Sequence, residues 1–491
     1  MSLDSREGSR FRASASLLGF GLWWAWYDFF RIADSHLLPP TAGLAMEQEA
    51  GRIAVSLGFN LAVLAFALGY RSIGSVLDRP KALAGSIAIE AALSFLFYLP
   101  AFGSTWDIST PAIPFFLGLF SVPLFMAWFE LYSRLPDGPE GWSAMTVPLC
   151  LLFNGCLLLL LLLVGHFFLP HYLVAIIHIA LFPLSFQALR LSRMDVQKHS
   201  STDCATRFAL PKQLLAAVFL FGVLFGLMLN TPFAVAADEH TGIGLEIAGI
   251  AIAGLIFLAI WKLNARKNQE GLSNGALSVR YAIAPLTALG ALLLPLIAVN
   301  NPNLVNAVFW AGYDYLDILM MYLYVEMSRL LKVSPLATNA QGQFADSTGI
   351  TIGMIISFLA TPALRAHSDM LSFISLIVVM LIITMSQTVM TDRKISTLWG
   401  LAKTDARSHR DEKAAARVGR IAAEGQLTPR ETEVLTLLLS GKRPEQIAKE
   451  LTVSVKTVRS HIYRIYSKLN IHSHQQLIDR AMENQDKAPR Y

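Results

Sequence analysis

Between Val455 and Leu469 the chain carries four Lys or Arg and no acid. At 100° per residue, Lys456, Arg459, Ser460 and Tyr463 gather on one helical face, with His461, Arg464 and Lys468 on a flank. Cations there can neutralise phosphates and an Arg can read guanine edges, so the chemistry on offer is major-groove contact with double-stranded DNA. The competing reading is a solvated basic helix.

A second constellation is Trp23, Trp24, Trp26, Tyr27, Asp28, Phe29, Phe30 and Arg31. Asp28 and Arg31, three apart, can pair on one helix face, and with Trp24 they would orient a small-molecule ligand among aromatic rings. An interfacial aromatic belt with a structural ion pair is the alternative. A third set, Asp314 and Asp317 among tyrosines, could hold a proton, a cation or a cationic ligand, or could simply meet water at a helix end. Glu90 and Glu246 are isolated acids in apolar surroundings, whereas Glu130–Arg134 and Glu326–Arg329 read as braces.

The elements around the basic face are legible. Thr428 precedes Pro429 and stands three before Glu431, which predicts a capping box. Gly441 ends that helix, Pro444 opens a second, and Ser454 caps a third. In the third, Val458, Ile462, Ile465 and Leu469 form one apolar stripe. The succession is helix, turn, helix.

The residues Leu427, Thr428, Arg430, Glu431, Glu433, Val434 and Leu435, then Gly441, Ile447, Ala448, Leu451, Ser454, Thr457, Val458, His461, Lys468 and Leu469, carry a resemblance. The stretch resembles the C-terminal DNA-binding domain of LuxR-type (GerE, or FixJ/NarL-type) regulators. That resemblance implies a third helix in the major groove, Arg459, Ser460 and Tyr463 at base-reading positions, Thr457 in the contact set, and a homodimer on paired half-sites. Arg443–Pro444 stands where a Ser or Thr cap is common, and Tyr463 where Lys is common; the latter changes the expected base preference.

The other residues have a different composition. Of all residues 54% are hydrophobic and 15% charged, a membrane balance. Residues 392–491 hold 19 Lys or Arg against 12 Asp or Glu, so the basic excess belongs to the tail. Twelve apolar segments of spanning length are expected, near 14–33, 51–70, 82–101, 112–133, 145–168, 171–189, 213–233, 243–263, 280–299, 303–325, 344–364 and 370–391. With both termini inside, 18 basic residues before the tail fall on the inner side and three, Arg31, Arg52 and Arg365, outside. This is the positive-inside pattern of a multi-pass inner-membrane protein.

The loop Gly74 to Lys81, with Asp78–Arg79, is similar to the GxxxDR-type loop of the major facilitator superfamily. The endings Glu130–Leu–Tyr–Ser133–Arg134 and Glu326–Met–Ser328–Arg329 suggest a six-plus-six repeat. The expected fold class is therefore all-α: a twelve-span bundle over 1–391, in halves 1–190 and 212–391, a charged helical linker over 392–426, and the DNA-binding domain over 427–491. Three cysteines form no ligand pattern, and no metal, cofactor or enzyme motif is seen. The expected function is a membrane-embedded one-component transcriptional regulator whose bundle senses a small molecule. The rival is a transporter with a regulatory tail.

Overall fold

A computed structural model describes residues 18–29, 45–102, 111–135, 146–192, 208–234, 283–388 and 418–477, apart from isolated positions, with a few more between 252 and 262. The chain divides into two compact units, Met1–Trp399 and Gly400–Tyr491. Among the described residues there are helices and no strands.

In the first unit the helices are α1 (18–29), α2 (Ala45–Ile73), α3 (Pro80–Phe97), α4 (Ala112–Arg134), α5 (Thr146–Phe168), α6 (His171–Ser192) and α7 (Lys212–Ala234). After these come α8 (Ile283–Ile297), α9 (Pro302–Leu331), α10 (Pro335–Ala366) and α11 (Met370–Thr388). Eleven expected spans thus coincide with described helices; the eighth, 243–263, falls largely outside the described residues, as does Glu246. Six of these helices are long and apolar enough to cross a membrane, and three shorter apolar stretches accompany them. The eleventh span begins earlier than hydropathy indicated: α10 starts at Pro335, because its polar first turns are buried in the bundle.

Without a hydrophobic drive between helices in lipid, close packing needs small residues. On α7 a Cβ at Gly226 would lie 2.0 Å from the Ile350 carbonyl oxygen of α10. These two helices therefore touch backbone to backbone. The contact of α2 with α10 is a polar seam instead. From α2, Asn60 Nδ2 donates to Thr351 Oγ1 of α10 at 2.8 Å and to the Ser347 carbonyl at 3.3 Å. Ser347 Oγ donates back to Asn60 Oδ1, and Thr351 Oγ1 donates to Ser56 Oγ at 2.9 Å.

At the C-terminal end of α4, Glu130 Oε2 accepts from the backbone N–H groups of Val76 and Leu77 at 2.8 and 3.1 Å. Arg134 pairs with Glu130 and donates to Ser75 Oγ at 2.9 Å. The pair braces the 74–79 loop, where Gly74 takes φ +68. The counterpart at the end of α9 behaves differently. Arg329 reaches the end of α4 and donates to the carbonyls of Leu135 (2.5 Å) and Tyr132 (3.3 Å), orphan acceptors at a helix end.

The second unit contains α12 (418–424), α13 (Pro429–Leu439), α14 (Pro444–Glu450) and α15 (Val455–Leu469). Its core joins Ile421, Val434, Leu435, Ile447, Val458 and Ile465. The expected linker is described only from 418 onward, and Gly441 lies outside the described residues.

Candidate nucleic-acid interface

In the second unit α13, α14 and α15 start where their local chemistry requires. Thr428 N–H donates to Glu431 Oε2 at 2.8 Å and Glu431 N–H donates to Thr428 Oγ1 at 3.4 Å, a reciprocal capping box. Arg443 supplies no side-chain oxygen for α14. Instead Gln446 Oε1 reaches back to the Arg443 N–H at 2.9 Å, half of the same box. Ser454 Oγ accepts from the Thr457 N–H at 3.1 Å and opens α15, which closes on Asn470 in the left-handed region at φ 51.

With Val458, Ile465 and Leu469 buried and Ile462 partly so, α15 has only one way to face. Lys456, Thr457, Arg459, Ser460, Tyr463 and Arg464 are exposed on its outer side, and Tyr463 is 76% exposed. His461 is half-buried. Arg459 makes a solvent-exposed ion pair with Glu445 of α14 at 3.3 Å, which DNA phosphate or a base edge can replace at little cost.

Lys468 is placed differently from the rest of the expected contact set. Its ammonium donates to Glu431 Oε2 at 2.7 Å and to the Gln426 carbonyl at 3.2 Å. Glu431 is buried, and the Lys468 ammonium together with the Thr428 N–H holds its carboxyl down at about 2. Lys468 thus staples α15 to the start of α13, a role its spacing alone could not reveal.

A family model described as bacterial regulatory proteins, luxR family, matches residues 425–481. Residues 425–481 are a LuxR-family helix-turn-helix domain. Over this LuxR-type region the chain is 43% identical across 63 residues to the uncharacterized response regulatory protein YgeK of Escherichia coli (strain K12), covering 13% of this chain and 43% of that protein. It is 36% identical across 58 residues to the response regulator UvrY of the same strain, covering 12% of this chain and 27% of the relative. The chain thus spans less than half the length of these relatives, and the likeness is confined to the LuxR-type domain.

The remaining chain has its own structural neighbours. It superposes on the human organic anion transporter MFSD10 (TETRAN) with TM-score 0.51 at 11% identity, covering 76% of this chain and 99% of that one. A bacterial homologue of the iron transporter ferroportin, in an outward-facing state, gives 0.52 at 13%, covering 77% and 99%. At such identities the likeness is one of fold: a major-facilitator-like membrane bundle precedes the LuxR-type domain.

In that bundle the expected ligand residues fall in two places. Asp28 is buried on α1 and accepts from Asn154 Nδ2 of α5 at 2.7 Å. Trp24 is buried one turn earlier, in edge contact with Trp23 and Tyr27. Trp23, Trp24 and Trp26 are all buried. Arg31 lies outside the described residues. Asp317 of α9 lines a cavity of about 10 Å³ with Tyr313, Tyr324, Gln343 and Asp346, room for roughly one water. Tyr313 donates to Asp346 Oδ2 at 2.5 Å. Asp314 is not among the residues lining that cavity. Asp346 was missed in the sequence because it sits in the polar start of α10, with its partner 33 residues earlier.

Proposed function

We propose that this protein is a membrane-embedded, one-component transcriptional regulator. In this reading a major-facilitator-like bundle binds a small molecule and so sets the activity of a cytoplasmic LuxR-type head. The observation that carries it is the pairing, in one chain, of a transporter fold with a head whose basic helix face is solvent-exposed. Lys456, Thr457, Arg464 and the half-buried His461 meet the duplex backbone, and Arg459, Ser460 and Tyr463 face base edges. Lys468 acts mainly by holding α15 in place. Two heads on paired half-sites form the DNA-bound state.

Trp24, Asp28 and Arg31 on one side, and Asp314 and Asp317 on the other, are the proposed ligand contacts. A ligand can shift the bundle only by binding one of its conformations better than another. Both termini are assigned to the cytoplasmic side of the inner membrane, on the distribution of basic residues.

Genome-wide expression is to be compared across candidate compounds in cells with the full chain, the Arg459→Ala variant, or a chain lacking 392–491. The expected result is compound-dependent transcription that needs Arg459. Compound flux through reconstituted protein that survives removal of 392–491, with no compound-dependent transcripts, would establish a transporter instead.

A further inference from the structure

Glu90 stands apart from both ligand clusters. It lies in the middle of α3, with 0% of its surface exposed, and neither carboxyl oxygen has a hydrogen-bond partner among the described residues. One turn on, Ser94 is also fully buried and its hydroxyl is likewise unpartnered among them. One turn further, Tyr98 bonds His178 Nδ1 at 2.9 Å, and His178 Nε2 lies 2.9 Å from the Trp26 carbonyl. Because only an N–H can face that carbonyl, Nε2 carries a proton. Both ring nitrogens of His178 are thus engaged by groups other than Glu90.

Among the described helices, those packed most closely on α3 are α4 and α6, with the turn Leu99–Phe102 at its end. Their titratable groups are Glu130, Tyr132 and Arg134 on α4, and His171, Tyr172, His178 and Arg190 on α6. None of them is hydrogen-bonded or ion-paired to Glu90. Glu130 and Arg134 serve the 74–79 loop, Tyr132 meets Cys150, and Arg190 lies over Phe186. Among the described residues no cation stands beside Glu90 in a salt bridge, and an ionised carboxylate in such a site is expensive; a carboxylic acid avoids that by keeping its proton.

We propose that Glu90 is a proton-binding site of the bundle, occupied in this conformation and emptied when α3 moves enough to admit water. The Ser94 hydroxyl is the group placed to solvate the carboxylate once it forms. Linkage fixes the sign: the conformation seen here binds the proton, so it is favoured at low pH and lost as pH rises. The proton would then be an input to the regulator. This last step rests on the sensing function proposed above, whereas the site itself does not.

The test uses the full chain in lipid nanodiscs, titrated with protons alone and read by intrinsic tryptophan fluorescence and by the infrared carbonyl band of protonated carboxyls. Wild type should show a fluorescence transition as pH rises, together with loss of a carboxyl band. Glu90→Gln should abolish both and hold the low-pH signal. Ser94→Ala, which leaves the carboxyl in place, should move the transition to higher pH, and it serves if Glu90→Gln does not fold. An unchanged transition in Glu90→Gln, or an unmoved one in Ser94→Ala, overturns the proposal. Retention on promoter DNA is measured in parallel. If the transition depends on Glu90 but DNA retention does not follow it, the proton site stands and the proton is not an input to the head.

Discussion

Lys468 shows what a side chain's neighbours add to its spacing. Its spacing suggests a phosphate contact, yet its ammonium is bonded to the buried Glu431. Because Glu431 is held at about 2 in the folded head, its ion pair contributes fully above the ordinary carboxylate range near 4.5 and is lost as pH falls toward 2. Lys468 is about a third exposed, and with screening the contribution is about 1–2 kcal/mol. Glu431→Gln should therefore lower urea stability of the Gly400–Tyr491 unit by that amount at pH 7 and by much less at pH 3. Equal losses at both would contradict the pairing. Arg459→Ala, by contrast, should leave stability unchanged within ~0.5 kcal/mol, since its partner Glu445 is exposed. In a gel-shift against specific and random duplexes it should weaken the specific complex by about 1–3 kcal/mol and the random one far less.

Among elements, caps and close helix contacts decide where stability sits. Replacing Ser454 by Ala removes the acceptor for the Thr457 N–H and should cost about 1 kcal/mol by denaturant midpoint. In the bundle, Gly226→Leu would drive a side chain into the Ile350 backbone and should lower the thermal midpoint in detergent by several degrees or prevent assembly. The head's elements were legible because their signals are local: Thr428 meets Glu431 and Ser454 meets Thr457, each three residues apart. The helices of the first unit were legible from hydropathy for the same reason. The Asn60 seam was not, because its partners lie 287 and 291 residues away, and a lone Asn or Thr in an apolar run carries no sign of its mate. Asp346 stayed hidden likewise.

At the scale of the whole molecule, the chain joins a fold known from transporters to a DNA-binding domain, and the membrane composition and basic tail already separated the two in the sequence. The sidedness proposed from charge predicts that a single reporter cysteine in the 190–212 loop, in a background lacking Cys150, Cys156 and Cys204, reacts with impermeant maleimide only in inverted membrane vesicles. Labelling in right-side-out vesicles would reverse the assignment. Arg329 has one further effect, on the order of manufacture. The carbonyls it caps belong to Tyr132 and Leu135, made almost two hundred residues earlier, so α4 leaves the ribosome with that end unfinished.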